Sequence, residues 1–171
     1  MQRRGFLVFA ASSAALALVG LSGCGFALRK APSFAFATLY SSLAESSPLS
    51  VELKRSLEST RQVRVITDPR LVNEAQVVLE VLLDQREKIV LSRNAAGQVR
   101  EFQLRLRFGF RLRTVAGKEL IPATEIVLQR DINFNESAVL AKEAEEALLY
   151  RDMQSDVVQQ VLRRLAAVTA L

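Results

Sequence analysis

The sequence predicts an α/β fold of the α+β kind: a two-layer sandwich in which a mixed, largely antiparallel sheet of four to five strands carries two helices on one face. Three observations predict it. Residues 102–112 alternate Phe102, Leu104, Leu106, Phe108, Phe110 and Leu112 with Gln103, Arg105, Arg107 and Arg111, interrupted on the polar side only by Gly109, which is the period of a strand buried on one face. Ser47-Pro48 opens a run in which Leu49, Leu53 and Leu57 recur at helical spacing, with Pro at the first helical position. From Ser137 or Leu140 to about Val168 a helical period takes over, along Leu140, Ala144, Leu148, Val157, Val161, Leu162, Leu165 and Val168.

The elements follow in order. Residues 34–40 set Phe34, Phe36 and Thr38 against Ala35, Ala37 and Leu39 and predict the first strand. The helix over 47–60 shows one narrow leucine stripe to the sheet. Residues 62–67, with Val63, Val65 and Ile66, predict a short second strand stopped by Asp68-Pro69. Residues 77–91 predict a long strand with Val77, Leu79, Val81 and Leu83 on one face and Glu80, Asp84, Arg86 and Lys88 mostly on the other. Turns at residues 93–98 and at Ala116-Gly117-Lys118 make three successive antiparallel strands of 77–91, 100–114 and 121–134, and Pro122 marks the last as an edge or a bulge. The final helix is expected to cover the same apolar face as the first.

Ahead of this domain, Arg3 and Arg4 precede an apolar run, residues 6–21, that ends in Leu21-Ser22-Gly23-Cys24. Charged start, short apolar stretch and small-residue end are the layout of a cleaved export signal, and Leu-Ser-Gly-Cys resembles a bacterial lipobox. The expected organisation is a signal peptide over 1–23, a lipidated N-terminus and tether over 24–33, and one domain over 34–171. Cys24 is the expected lipidation site, carrying an S-diacylglycerol and an N-acyl group. Acyl burial at about 0.8 kcal/mol per methylene makes such an anchor stable where a single chain binds only reversibly. Gly25 in place of Asp after the cysteine points to the outer membrane. Arg3-Arg4-Gly5-Phe6-Leu7 also resembles a twin-arginine signal, so both export routes stay open.

Composition excludes several chemistries. The chain has 23 Lys and Arg against 18 Asp and Glu, too mild a balance to signal nucleic acid. It contains no histidine, and its one cysteine is assigned to the anchor, so no nucleophilic triad can be written and metal sites lose their commonest ligands. No metal, no cofactor beyond the covalent lipid and no enzymatic activity are expected. Glu143, Glu145 and Glu146 read as acids favoured near a helix start. The constellation that invites a ligand is the basic strip Arg105, Arg107, Arg111 and Arg113, all on one strand face. Guanidinium groups in line suit a polyanion, whereas carboxylates from neighbours such as Glu80, Asp84 or Glu125 would turn the strip into an ordinary paired surface.

Ordered motifs over nearly the whole chain resemble the LptE family of lipopolysaccharide-assembly lipoproteins. They are Gly23-Cys24-Gly25-Phe26-Ala27-Leu28-Arg29, then Ser92-Arg93-Asn94 with Gly97-Gln98 and Glu101-Phe102-Gln103-Leu104, then Arg130 with Phe134 and Asn135, and last Leu140-Ala141-Lys142-Glu143. Ala27 departs from the polar residue frequent there. The resemblance implies a non-catalytic role: a domain that plugs and helps assemble the LptD β-barrel and binds lipopolysaccharide on its way to the outer leaflet. It also implies that Arg93 and Lys142 contact lipopolysaccharide as cationic donors. The arginine strip has no counterpart among these motifs; it would either face the barrel wall or extend the lipopolysaccharide site. Two other readings remain open at this point: an auxiliary lipoprotein of another envelope lipid-transport system, and a carboxylate-based periplasmic hydrolase.

Overall fold

The computed structural model describes residues 32–171; the export signal, Cys24 and the tether as far as Ala31 lie outside the described residues. The elements run β1 (Thr38–Ser41), α1 (Pro48–Ser59), β2 (Arg64–Ile66), a 3-10 segment (Pro69–Glu74), β3 (Val77–Arg93), β4 (Val99–Thr114), β5 (Glu119–Asn133), a 3-10 turn (Glu136–Ala138) and α2 (Val139–Ala166). They form one five-stranded sheet in the order β2-β1-β3-β4-β5. β1 is parallel to β2 and to β3, and β3-β4-β5 form an antiparallel meander. Parallel neighbours need crossovers, which α1 and the 3-10 segment supply. The expected mixed sheet with two helices on one face is thus the observed fold. No described helix is long and apolar enough to cross a membrane.

Local chemistry explains the meander. Both hairpins close on a type I turn followed by glycine at positive φ, Gly97 at 83° and Gly117 at 96°, where other residues are strained. In the first, the Asn94 N–H donates to Gln98 O at 2.8 Å and Gly97 N–H to Asn94 O at 2.9 Å. Asn94 Oδ1 adds bonds from the Ala96 and Gln98 amides at 3.0 and 2.9 Å. Pro122 sits on the edge strand, inside the register shift between the Phe110–Thr124 and Leu112–Ile121 pairs, where a missing N–H costs least.

The core lies between the sheet and the helices. Leu39, Leu53, Leu57, Val77, Leu79, Leu104, Leu106, Phe108, Phe110 and Leu112 meet Met153, Val157, Val158, Val161 and Leu165 there, all fully or almost fully buried. Ile66 and Val78 are also buried, outside that cluster, and alternation puts them on the reverse face.

Three expectations are corrected. The first strand is shorter than 34–40, and Phe36 and Leu39, expected on opposite faces, are both buried in the core. Side-chain amides replace ladder bonds before Thr38: the Phe34 N–H donates to Gln62 Oε1 at 3.3 Å, Gln62 Nε2 donates to Pro32 O at 3.2 Å, and the Ala37 N–H donates to Gln76 Oε1 at 2.6 Å. Second, Asp68-Pro69 does not merely stop β2. Asp68 Oδ1 accepts from the Arg70 amide at 2.9 Å and starts a 3-10 helix.

Third, β3 does not keep one set of faces. A bulge at Leu82 separates the pairs Val81–Phe110 and Leu83–Gly109 and shifts the alternation by one residue. Beyond it Asp84 faces Phe108, Arg86 faces Leu106 and Lys88 faces Leu104, so these charged residues point to the helix side and Leu83 turns to the arginine side. Gly109 permits the crossing, because a Cβ there would lie 3.1 Å from Leu83 Cβ. The consequence reaches α2, where Glu146 and Tyr150 meet Lys88 and Arg86 of the strand. Leu140 and Leu148, expected in the core stripe, are 82% and 56% exposed, and Leu148, two residues from both Glu146 and Tyr150, is on the opposite side of the helix from those contacts.

Candidate functional site

Arg93 and Lys142 come from distant parts of the chain and lie at the same end of the domain. Arg93 is the last residue of β3, where its Nη1 donates to Gly97 O of the turn at 3.1 Å. The chain returns to this end when β5 finishes: the Phe134 N–H donates to Arg100 O at 2.8 Å, and Gln98 Nε2 donates to Glu136 Oε2 at 3.2 Å. Asn135 Oδ1 accepts from the Ser137 amide at 3.1 Å and caps the 3-10 turn that leads into α2, with Lys142 in its first turn. Lys142 Nζ donates to Glu145 Oε2 at 2.8 Å and its side chain is 24% exposed.

This end is a surface, not a pocket. Its recess, lined by Asn94, Gln98, Arg100, Phe134, Asn135 and Glu136, holds about 80 Å³, the share of two or three water molecules. Larger open hollows lie beside α1, one of about 660 Å³ between Val51, Arg55, Arg151 and Ser155, and none of the expected site residues lines it.

The basic strip is on the other face, and it is paired. Arg105 reaches Glu87 at 3.4 Å; Arg107 reaches Glu125 at 2.6 Å and Glu87 at 3.8 Å; Arg111 and Arg113 each reach Glu80 at 2.5 Å. Four guanidinium groups therefore share three carboxylates from β3 and β5, and the register places those acids opposite or diagonal to the arginines. Bonds from Arg113 first, and then Arg111, hold the Glu80 carboxyl below its usual range against the opposing effect of burial. Glu125 raises the Arg107 guanidinium further. Of the neighbours expected to compensate the strip, Glu80 and Glu125 do so; Asp84 does not, because the Leu82 bulge turns it to the helix side, and Glu87 takes its place.

The bulge also creates a cationic row that alternation alone misses. Lys88 Nζ donates to Glu146 Oε2 at 2.6 Å and lies 4.4 Å from the centre of the Phe102 ring. Arg86 Nη2 donates to Gln154 Oε1 at 3.0 Å and stacks 5.3 Å from the Tyr150 ring centre, while Gln154 Nε2 donates to Glu52 Oε2 at 2.7 Å. Tyr150 Oη donates to Glu87 O at 2.7 Å, and burial pushes its phenol pKa up. Beside this row, Arg130 of β5, whose faces the bulge does not alter, donates from Nη2 to Asp156 Oδ2 at 3.3 Å. The sequence does not mark the bulge: Val81-Leu82-Leu83 is one of three apolar triplets in β3, with Val77-Val78-Leu79 and Ile89-Val90-Leu91, and residues 84–88 are all polar. Among the described residues no group of three or more His, Cys, Asp or Glu side chains is arranged to hold a metal ion.

The LptE family model, described as lipopolysaccharide-assembly, matches residues 36–165. Among solved structures, lipoprotein B from Nitrosomonas europaea is 34% identical at a TM-score of 0.69, over 84% of this chain and 91% of its own. Rare lipoprotein B from Shewanella oneidensis is 24% identical at 0.62, over 76% and 94%, and a minor lipoprotein from Acinetobacter baumannii is 22% identical at 0.61, over 79% and 94%. The latter two show the same fold. A search of curated proteins returned no match.

Proposed function

The chain belongs to the LptE family of lipopolysaccharide-assembly proteins, and on that premise we propose that it is an outer-membrane lipoprotein, anchored through Cys24, that plugs and assists assembly of the LptD barrel and binds lipopolysaccharide. The family match over residues 36–165 carries this reading. No bond is made or broken in it: Arg93 and Lys142 act as cationic donors to lipid A phosphates or core-sugar carboxylates.

The geometry supports the reading in two ways. Arg93 and Lys142 stand at one end, and an open surface suits a ligand that must be passed on rather than enclosed. Pro32, where the described chain begins, is beside Gln62, at the opposite end of the sheet from the Arg93 turn. The 17 residues of β3 at ~3.3 Å each make it about 55 Å long, which exceeds the ~30 Å hydrocarbon core of a bilayer. A domain of that length inside a barrel brings its hairpin to the far leaflet.

Affinity purification of the tagged full-length chain in detergent from a Gram-negative host tests the reading. A large barrel protein retained in a one-to-one ratio is expected. Retention of an inner-membrane transporter in its place would assign the chain to another lipid-transport system.

A further inference from the structure

The helix-side cations of β3 extend the Arg93 and Lys142 end in a way that neither motif nor alternation assigns. Lys88 is bound to Glu146, and Glu146 is one helical turn from Lys142, which is bound to Glu145. Residues four apart on a helix have Cβ atoms about 5–6 Å from each other. Two ammonium groups and two carboxylates thus form one cluster between the start of α2 and the sheet, floored by Phe102, which packs edge-on against Phe134 at 5.3 Å between ring centres. The cluster is only half accessible: the side chains of Lys88 and Glu146 are 37% and 23% exposed.

We infer that Lys88 is a third phosphate-contacting cation of this end, and that Glu145 and Glu146 are internal counter-charges that an anionic ligand displaces from Lys142 and Lys88. The inference rests on the lipopolysaccharide-binding reading and adds to it a specific chemistry, the exchange of a carboxylate for a phosphate. An ammonium group accepts either partner as a point charge, without the fixed fork of a guanidinium, so one can replace the other with little rearrangement. The exchange also limits affinity. A bare pair of lysines would hold a bisphosphate tightly, whereas lysines already satisfied by carboxylates return to them when the ligand leaves. The ring of Phe102 beneath Lys88 keeps the ammonium in place in either state through cation–π attraction.

Titration of the purified full-length chain with bisphosphorylated lipid A and with dephosphorylated lipid A, both in detergent, tests this. Lys88→Gln is expected to weaken binding of the bisphosphorylated form about tenfold, the value of one charge-assisted bond, and Lys88→Arg to restore most of it. Glu146→Gln is expected to tighten binding severalfold while lowering thermal stability slightly, a pairing that a purely structural ion pair cannot produce. The dephosphorylated form should respond to neither. If Arg93→Gln and Lys142→Gln weaken binding while Lys88→Gln does not, or Glu146→Gln weakens it, the inference falls and the family reading stands. If none of the four changes has an effect, the lipopolysaccharide-binding reading falls with the inference.

Discussion

The two halves of α2 cross the same sheet and meet opposite environments. In the C-terminal half Val157, Val158, Val161 and Leu165 are completely buried against β4 residues such as Phe108 and Phe110. In the N-terminal half Leu140 and Leu148 are exposed, and the contacts to β3 are made by Lys88 with Glu146 and by Arg86 with Tyr150. One helix thus carries a core at one end and a charged, half-open surface at the other. The difference arises on the strand: the Leu82 bulge reverses the faces of β3, so aliphatic residues lie under the C-terminal half of α2 and cations under its N-terminal half. Apolar packing and charged contacts are thus divided along the length of the helix.

Leucine truncation is the strongest test of that division. Leu165→Ala is expected to cost about 2–5 kcal/mol by leaving a cavity, whereas Leu140→Ala should stay within about 0.5 kcal/mol of the parent. Denaturant unfolding of both variants measures the contrast, and equal losses would mean that the two halves are not distinct. At the boundary, Gly109→Ala should cost about 1 kcal/mol, because the new methyl presses on Leu83 Cβ at 3.1 Å and a Cβ cannot rotate aside. A silent Gly109→Ala would show that the bulge adjusts freely.

The smallest effect concerns the reverse face, and it depends on pH. Glu80 has a carboxyl pKa depressed by Arg113 and Arg111, so its contribution is complete above the ordinary glutamate value of about 4.3 and is lost as pH falls through the lower folded value. Thermal unfolding followed from pH 7 downward should show a shallower acid decline for Glu80→Gln than for the parent below about pH 4.3. Parallel curves would leave Glu80 without linkage to folding.

Much of the fold is legible in the sequence, and this division is not. β4 is read correctly because its alternation runs unbroken from Phe102 to Leu112, with the register shifts accommodated by its partners. The leucines of α1 and both glycine turns were equally plain. What escaped was parity. Leu82 and Leu83 are both apolar, so the point at which β3 changes faces is masked by hydrophobicity, and every assignment beyond it, from Asp84 to Lys88, is inverted. The exposure of Leu148 has a different cause: it is two residues from both Glu146 and Tyr150, which contact β3, and so lies on the opposite side of the helix. Arg93 and Lys142 are nominated by motifs alone; that they share an end follows only from the return of β5 beside the first hairpin. The pairing of the arginine strip was conditional on neighbours, and Glu87 joined them through the inverted parity.

On the proposed function, lipopolysaccharide meets the hairpin end and not the arginine face. Comparing lipopolysaccharide affinity of the full-length chain with the double variants Arg93→Gln/Lys142→Gln and Arg107→Gln/Arg111→Gln tests it directly. A loss of about two orders of magnitude is expected for the first pair, two charge-assisted contacts, and less than about a twofold change for the second, which lies on the opposite face of the sheet with its guanidinium groups held by Glu80, Glu87 and Glu125. A large loss for the second pair with none for the first would contradict it.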